Sequence, residues 1–492
     1  MRDWLVHIKR SDHFSLQTQI REALVAAILD RQLDREEPIP STRKMAKSLG
    51  VSRNTVVLAY QGLLDDGYLV ARERSGYYVS DKALEGVPAA RKTKAQSAPA
   101  QVPGLDWSRR LMTRTAQKPV PNKPSDWQSY PYPFLYGQVD HTLFPLAEWR
   151  DCARQALSKK WIGAWTNDTW ALDDPLLVEQ IRRRILPRRG IMANDSEILI
   201  TLGAQNALYL LASLLVGPET RVALEEPGYP DARHIFGQNT EQLALVTVDE
   251  RGLPPDPALE QADIIYVTPS HQFPTTVTMP LERRMELLKM ASRANAVIIE
   301  DDYEFETNYV NEPCPALKSL DDEGRVIYVG SFSKTLFPGL RLGFMVGPEA
   351  LIAEARALRR LMVRHAPNNN QRMAALFLSL GHHDMLIRRL HRAYRERWEI
   401  MGRALETHLP NSSRIPSFGG TSYWVKGPAV LDSEALALAA RAKGILIEPG
   451  RIYFGGAERP SNYFRLAFSS INESKIEAGI KLLAETIHTG GT

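Results

Sequence analysis

Cysteine is scarce in this sequence, since Cys152 and Cys314 are the only two among 492 residues. Two cysteines cannot build a disulfide framework or, by themselves, a zinc site, so no metal is predicted and a reducing compartment is favoured. Long apolar runs are missing too: the longest, around 207–216, is far shorter than the roughly 18 to 20 residues that span a bilayer. The N-terminus lacks the basic stretch and apolar run of a signal peptide. These absences predict a cytoplasmic protein without a membrane partner.

The composition is ordinary for a globular protein, with 44% hydrophobic, 24% charged and 8% aromatic residues. It excludes disorder, collagen or a coiled-coil array as a description of the whole chain. A single core rarely grows past about 250 to 300 residues, so this length predicts two or more domains. The net charge is +4, yet residues 81–125 hold 9 Lys+Arg against 3 Asp+Glu. This asymmetry fits a nucleic-acid-binding N-terminal part and a basic linker that only aids solubility equally well.

The basic stretch over 81–125 is predicted to be a linker. It has little apolar periodicity and contains prolines along its length, among them Pro99, Pro103 and Pro119. Proline forces extended or turn conformations on itself and on its predecessor, so no long helix is expected here. The sequence therefore predicts a small domain over 1–80, the linker, and a large domain over 126–492.

The first 80 residues have the pattern of three helices and a hairpin. Leu16, Ile20, Leu24 and Ile28 recur every four positions, which is typical of the buried stripe of a first helix. Ser41 and Ser52 can cap a second and a third helix, which glycines 50 and 67 would end. Residues 68–72 and 77–80 predict two strands around a tight turn. Together these elements predict a helix-turn-helix followed by a wing.

Polar and basic residues cluster where such a domain would meet double-stranded DNA. The predicted contacts are Ser52, Arg53, Asn54 and Thr55 in the major groove, Arg43 and Lys44 at phosphates, and Arg72 and Arg74 on the wing. Arginine and asparagine make bidentate contacts to guanine and adenine edges. A three-helix protein-binding module has the same periodicity, but it would more often carry apolar anchors at this helix start, which favours DNA.

Two motifs resemble the winged-helix domain of GntR-type bacterial regulators. They are Ile-Pro-Ser-Thr-Arg-Lys-Met-Ala over 39–46 and Leu-Gly-Val-Ser-Arg-Asn-Thr-Val over 49–56. The resemblance covers nearly all of residues 12–80. One loop departs from the family, which often has a glycine shortly before the first motif, where this chain has Arg-Glu-Glu-Pro at 35–38.

Beyond residue 190, short apolar runs followed by polar residues or glycine predict β-strands. The runs are 198–201, 222–224, 264–268, 297–299 and 326–329, with helical stretches such as 281–294 between them. Their spacing is typical of βαβ units in a parallel sheet. Ligands of open parallel sheets bind at the carboxyl ends of the strands, so the residues that follow each run are expected to converge.

The residues after these runs have the chemistry that pyridoxal 5′-phosphate (PLP) requires. A helix start with free amides, hydroxyls and an arginine suits a phosphate, an aromatic ring stacks, a carboxylate binds the pyridine nitrogen, and a lysine bonds to the aldehyde. Taken singly, each motif is also explained as a structural cap or turn, but their order and placement favour a cofactor site. The set comprises Gly203, Ala204, Gln205, Tyr229, His271, Asp301, Tyr303, Ser331, Ser333, Lys334 and Arg341.

The whole set resembles the fold-type I aminotransferases, and its order after a winged helix resembles the MocR/PdxR subfamily of GntR regulators. The resemblance implies a mostly helical winged helix-turn-helix domain and an α/β PLP-dependent transferase domain. It implies Lys334 as the cofactor lysine, Asp301 as the partner of the pyridine nitrogen and Tyr303 beside the phenolic oxygen. It further implies Tyr229 as the stacking ring, His271 near that ring, the phosphate site from Gly203, Ala204, Gln205, Ser331, Ser333 and Arg341, and Arg465 as the partner of an effector carboxylate.

Departures from the family concern the substrate side. Relatives usually show Tyr-x-x-x-x-Gly-x-x-x-Leu-Arg, and in aminotransferases this tyrosine reaches the cofactor phosphate of the partner subunit. The corresponding positions here are Asp168, Asp173, Leu177 and Val178, with Trp165 and Trp170 available to fill the space. Thr276 also stands near where the family has a glycine. These changes predict that the substrate geometry has drifted from that of a working transaminase.

The resemblance implies a regulator whose homodimer senses PLP and an amino acid or amine and repositions its winged helices on DNA. Under this hypothesis no residue is catalytic. An active aminotransferase with an accessory DNA-binding domain is the first alternative, and steady turnover would favour it. A DNA-binding scaffold without cofactor is the second, and a protein that stays colourless with added PLP would favour that.

Overall fold

The computed structural model describes residues 14–73, 75–84, 106–111, 115, 119, 123–135, 137, 140–309, 314–413 and 419–489. The chain divides into two compact units, Met1–Met112 and Thr113–Thr492. The linker bounds at 81 and 125 stay predictions. Within the described ranges no helix has an apolar segment long enough to cross a bilayer.

The first unit contains the three predicted helices. They are α1 (Leu16–Leu29), α2 (Thr42–Leu49) and α3 (Arg53–Asp65). Both predicted caps are confirmed, since Ser41 Oγ accepts from the Lys44 amide at 3.3 Å and Ser52 Oγ from the Thr55 amide at 3.1 Å. Gly50 ends α2 with φ at 63°, a left-handed conformation that glycine adopts without a steric penalty.

One apolar core joins these helices to a hairpin. The buried faces carry Ile20 and Leu24 of α1 and Val56 and Leu63 of α3, while the polar start of α3 stays outside. The hairpin pairs β1 (Leu69–Arg72) with β2 (Gly76–Val79) in antiparallel register, which confirms the predicted wing. The fold of a winged helix-turn-helix is thereby complete.

The second unit contains a seven-stranded sheet with helices on both faces. Its strands are β4 (Ile198–Thr201), β5 (Val222–Glu226), β6 (Leu243–Thr247), β7 (Ile264–Val267), β8 (Val297–Asp302), β9 (Val326–Ser331) and β10 (Gly343–Val346). A short strand, β3 (Tyr132–Pro133), precedes them. All five predicted strands are present, and four of them, β5, β7, β8 and β9, pair in parallel.

The strand order is β4, β10, β9, β8, β7, β5, β6, and only β10 runs antiparallel to its neighbours. Nearly every strand residue is buried, as expected for a parallel sheet covered on both faces. The order brings the carboxyl ends of β5, β7, β8 and β9 side by side at one edge. This edge holds the candidate site.

Among the described residues, twelve helices cover the sheet and a smaller C-terminal layer. They are α4 (Leu146–Ala156), α5 (Ile162–Thr166), α6 (Pro175–Gln180), α7 (Ala204–Leu215), α8 (Pro230–Phe236), α9 (Pro257–Glu260), α10 (Leu281–Ala294), α11 (Glu349–Val363), α12 (Asn368–Ser379), α13 (His382–His408), α14 (Ser433–Ala442) and α15 (Glu473–Thr489). The helix predicted over 281–294 is α10. Residues of α7, α8 and α11 pack on one sheet face and residues of α10 on the other.

A three-stranded antiparallel sheet forms the C-terminal layer. It contains β11 (Ser422–Lys426), β14 (Tyr463–Ala467) and β13 (Glu448–Pro449) in that order, while β12 (Ile445–Leu446) pairs with β3. Glu448 lies directly opposite Arg465 in the register between β13 and β14. The layer thus places one acidic and one basic residue as neighbours.

Candidate cofactor and DNA-binding sites

The first unit exposes the predicted DNA-contacting residues on one helix start and the preceding helix. Arg53 and Asn54 open α3 and are exposed, and Ser52 just before them is exposed as well. Thr55 is half-buried, and its hydroxyl lies 2.8 Å from Ser52 Oγ. The recognition end of α3 is therefore held in place by its own cap.

The remaining predicted DNA contacts lie on α2 and the wing. Arg43 and Lys44 are exposed in the first turn of α2. Arg72 ends β1, and its guanidinium carbon lies 4.2 Å from the centroid of the Tyr78 ring. Arg74 lies outside the described residues. The described basic side chains thus sit on the elements that the sequence assigned to them.

The second unit has a cavity of about 400 Å³ at the carboxyl ends of its parallel strands. Most of the cofactor residues predicted from the sequence line it. These are Ala204, Gln205, Tyr229, Asp301, Tyr303, Ser331, Ser333, Lys334 and Arg341. Residues separated by more than 130 positions in the sequence thereby share one wall, because each follows a strand or opens a helix at the same sheet edge.

Asp301, at the end of β8, has one satisfied and one unsatisfied carboxylate oxygen. Its Oδ2 accepts a hydrogen bond of 2.8 Å from the Tyr266 hydroxyl, while the buried Oδ1 has no hydrogen-bond partner. Burial raises the pKa of Asp301 to about 7, against the hydrogen bond from Tyr266. A buried oxygen without a partner is costly, so a ligand that donates a hydrogen bond here is strongly favoured. A protonated pyridine nitrogen fits this requirement.

Lys334 lines the same cavity, three residues after β9. Its Nζ lies 2.9 Å from the position that a Cβ would take at Gly137. Burial lowers the pKa of Lys334 to about 7, and the charge of Lys123 lowers it as well, whereas Glu304 acts in the opposite direction. A lysine of this kind is largely available as a neutral nucleophile near neutral pH.

The start of α7 and the loop before β10 form an anion-binding end. Gly203 precedes α7 with φ at 88°, and a Cβ there would lie 3.2 Å from Arg341 Nη2. The Arg341 guanidinium donates to the Leu202 carbonyl at 2.6 Å, which holds it beside the free amides of the helix start. Ser331 and Ser333 face the same space. Helix amides, hydroxyls and a guanidinium suit a phosphate.

Aromatic rings form one side of the cavity. Tyr229 and Tyr303 both pack edge-on against Phe273, with centroid distances of 5.3 and 5.8 Å. The Tyr303 hydroxyl donates to the backbone carbonyl of His271 at 2.8 Å. His271 itself is buried behind this ring, where burial lowers the pKa of its imidazole. His271 therefore supports Tyr303 from behind rather than lining the cavity.

Arg465, on β14, is fully buried behind the aromatic side. Its guanidinium carbon lies 4.5 Å from the centroid of the Phe273 ring, and its Nε donates to Ser422 Oγ at 2.9 Å. Phe273 lines the cavity, whereas Arg465 is not among the residues that line it.

Two further charged residues that the sequence did not single out line the cavity. Lys123 Nζ lies 3.2 Å from Glu448 Oε1, and the Tyr453 hydroxyl donates to Glu448 Oε2 at 3.1 Å. Lys123 falls in the stretch predicted as linker, where composition indicated no site. Glu448 follows two apolar strand residues and matches no motif, so no sequence signal marked either residue.

A buried ion pair between Arg189 and Asp302 adjoins the cavity residue Asp301. Arg189 Nε lies 2.7 Å from Asp302 Oδ2, and the same guanidinium donates to Ser270 Oγ and to the Cys314 carbonyl, each at 2.8 Å. Burial alone would raise the pKa of Asp302, but the charge of Arg189 holds it below its ordinary value. This arrangement joins β8, next to Asp301, to the loops after β7 and before β9.

The positions that depart from the aminotransferase pattern have structural contacts of their own. Asp173 is buried between Arg356 and Arg359, with oxygen–nitrogen distances of 2.7 and 2.6 Å. Leu177 and Val178 are buried in α6. Thr276 is buried with φ at 63°, a conformation that glycine would adopt without strain. Drift of the substrate geometry stays a prediction.

The same two units match known proteins. Residues 16–79 match the bacterial regulatory proteins of the gntR family, and residues 169–483 match aminotransferase class I and II. The chain is 47% identical to the HTH-type transcriptional regulator TauR of Rhodobacter capsulatus, over 96% of each chain. It is 30% identical to the probable rhizopine catabolism regulatory protein MocR of Rhizobium meliloti, over 97% of this chain and 94% of that one.

Solved structures similar to the chain are aminotransferases. Kynurenine aminotransferase from Pyrococcus horikoshii, in complex with PMP, superposes with a TM-score of 0.71 at 28% identity. The match covers 79% of this chain and 99% of that one.

Proposed function

The chain belongs to the MocR-type transcriptional regulators of the gntR family, and we propose that its second unit binds PLP and an amino compound to control DNA binding. The regulator binds DNA through its winged helix, and its second unit has the PLP-binding fold of the aminotransferases. The observation that carries the proposal is the unpartnered Asp301 Oδ1, buried on the same cavity as Lys334.

The residues of the cavity suit PLP in detail. When bound, PLP supplies an aldehyde carbon that amines attack and a ring nitrogen that is protonated. Lys334 would hold the cofactor covalently, and Asp301 Oδ1 would accept a hydrogen bond from the protonated ring nitrogen. Gly203, Ala204, Gln205, Ser331, Ser333 and Arg341 would hold the phosphate, Tyr229 would pack on the ring and Tyr303 would lie beside the phenolic oxygen, while His271 positions Tyr303 through the hydrogen bond to its backbone carbonyl.

An amino acid or amine is the proposed effector, and Arg465 is the proposed partner of its carboxylate. The Arg465 guanidinium lies against Phe273, a ring that lines the cavity. The effector acts by linkage, so it changes DNA affinity only as far as its own affinity differs between two arrangements of the protein. Coupling of about 1 to 3 kcal/mol is typical.

A homodimer is part of the proposal. Residues 170–172 and 361–363 expose apolar side chains, and an ion pair between Asp168 and Arg364 links the adjoining segments. The exposed side chains on it are Trp170, Leu172, Leu361, Met362 and Val363. Apolar surfaces of this kind on soluble proteins mark interfaces, and a second copy of the chain is the expected occupant.

The DNA-binding face predicts a large effect at Arg53. Replacing Arg53 by alanine should weaken specific DNA binding by about 1 to 3 kcal/mol, because an arginine at the recognition-helix start reads a guanine edge. Titrations with operator and with random DNA at several salt concentrations measure this. Arg21→Ala is the matched control, since Arg21 pairs with Asp66 at the other end of α3. Equal losses in both variants would place base readout elsewhere.

The lowered pKa of Lys334 predicts how cofactor uptake depends on pH. Only the neutral amine attacks the aldehyde, and the neutral fraction rises as the pH increases through the pKa of about 7. The rate at which the apoprotein takes up PLP should therefore increase between pH 6 and 8 and then level off. The control is Nα-acetyl-lysine, whose free side-chain amine has a pKa of about 10.4. A protein profile that keeps rising in parallel with the control would contradict the environment described for Lys334.

The function is tested by measuring operator affinity and product formation together. The full chain, with and without PLP, is titrated with operator DNA in the presence of amino acids and amines, and keto-acid product is assayed with 2-oxoglutarate. A change in DNA affinity that requires both PLP and an amine supports the regulator. Sustained turnover of about 1 per second or more without any change in DNA affinity would favour the aminotransferase instead. A chain that binds operator but takes up no PLP would indicate the cofactor-free scaffold.

A further inference from the structure

Three cations line the cavity among the described residues: Lys334, Arg341 and Lys123. Lys334 is assigned to the cofactor, and Arg341 lies at the anion-binding end beside Gly203. Lys123 lies at neither place, so the proposed function leaves it without a role. Lys123 is therefore the cavity cation that remains to contact a ligand bound next to the cofactor.

Lys123 approaches the reacting end of the cavity. Its Nζ lies 3.7 Å from the position of a Cβ at Gly137, and Lys334 Nζ lies 2.9 Å from the same point. The two amines therefore flank one small space. A ligand whose own amine takes the place of Lys334 at the cofactor would reach Lys123 with only a few further carbon atoms.

The partner of Lys123 is fixed, whereas Lys123 can move. Glu448 is buried, is held in β13 opposite Arg465, and accepts the Tyr453 hydroxyl with its second oxygen. The Lys123 side chain is 28% exposed and ends a flexible four-carbon stem. An anionic group that enters the cavity competes with Glu448 for Lys123, at the cost of leaving the buried Glu448 carboxylate without that lysine.

We propose that Lys123 leaves Glu448 to bind the acidic group of a short amino acid whose amine lies at Lys334. This inference rests on the proposed function and deepens it, because it assigns the effector to the amino acids rather than the simple amines. Lys123 lines the cavity and Arg465 does not, so Lys123 supplements Arg465 as a partner of the acid group.

The test compares matched ligands on the PLP-loaded full chain. Straight-chain amino acids of two to five carbons, such as β-alanine, are titrated beside alkylamines of the same length, such as propylamine. Cofactor absorbance and calorimetry give the dissociation constants. The readout is the ratio of the alkylamine constant to the amino-acid constant, which cancels any general effect on the cavity. The wild-type chain should prefer at least one amino acid to its alkylamine.

Charge removal at Lys123 should reduce this preference. A hydrogen bond to a charged group contributes about 1.5 to 3 kcal/mol, so Lys123→Gln should lower the ratio by about 10- to 100-fold. Lys123→Arg should retain most of it, and Lys159→Gln, at an exposed lysine of the same unit, should retain all of it. Glu448→Gln should raise the ratio, because Lys123 then has no carboxylate to leave.

Each other outcome rejects the inference. An unchanged ratio in Lys123→Gln rejects it while leaving the proposed function intact, and a loss confined to an Arg465→Gln variant assigns the acid group to Arg465 alone. A lowered ratio in Glu448→Gln contradicts the exchange, and a wild-type chain without preference for amino acids contradicts the ligand class. Absence of PLP uptake is the distinct result that rejects the proposed function itself.

Discussion

Replacing Lys334 by alanine is expected to abolish covalent attachment of PLP. Lys334 is the amine just after β9 that lines the same cavity as Asp301, and burial keeps much of it neutral near pH 7. An alanine leaves no nucleophile at this point of the wall. The visible absorption of the bound cofactor should disappear, and borohydride reduction followed by peptide mapping should label Lys334 in the wild-type chain only.

A second lysine in the cavity provides the decisive control for this experiment. Lys123→Ala removes the other amine that lines the space, whereas Lys159→Ala removes one on the surface. Both variants should still carry the reduced cofactor on Lys334. A label on Lys123 in the wild-type chain would reassign the cofactor lysine, and an unlabelled, PLP-loaded wild-type chain would reject covalent binding altogether.

Replacing Arg189 by alanine is expected to destabilise the second unit by about 3 to 5 kcal/mol. The loss of one partner leaves the fully buried Asp302 with an uncompensated charge, and such changes have this magnitude. The Ser270 hydroxyl and the Cys314 carbonyl also lose their common donor. Guanidinium unfolding followed by tryptophan fluorescence measures the effect, because most of the tryptophans lie in the second unit.

The matched control removes an arginine from an exposed pair. Arg251 lies 2.9 Å from Glu282, with side chains 54% and 79% exposed. Water and salt screen such a pair, so Arg251→Ala should cost no more than about 1 kcal/mol. Losses of equal size in the two variants would contradict a special role for the buried pair beneath Asp301.

Local signals predicted the first unit almost completely. The spacing from Leu16 to Ile28 predicted α1, and the serines at 41 and 52 cap the helices that they were expected to cap. Each of these features depends on residues within a few positions of one another, because a cap or an amphipathic stripe is made by one turn or one face of a helix. Nothing distant in the chain was needed to infer them.

The convergence at the sheet edge was also predictable, but for a different reason. Buried parallel strands are continuous apolar runs, and their carboxyl ends share one edge whatever the strand order is. Asp301, Tyr229 and Lys334 could therefore be assigned to one site before their distances were known. The antiparallel β10 was not predicted, since no local pattern distinguishes its direction.

The supporting contacts escaped the sequence analysis. Tyr266 lies inside an apolar run, so its hydroxyl bond to Asp301 had no signal. Arg189 was not singled out from the sequence, although it holds the buried Asp302. Asp173, noted as a departure from the family, is a buried partner of two arginines. Each contact joins residues more than 30 positions apart, which no local pattern encodes.

The sequence by itself determined the two kinds of domain, their order, the caps of the DNA-binding helices and the residue types of the cofactor site. Only the tertiary structure decided that Arg465 lies behind Phe273 while Lys123 faces the cavity beside Glu448. The physical reason is the range of the interactions. Helix periodicity and strand burial act along the chain, whereas access to a cavity depends on which distant side chain fills the space in front of a charge.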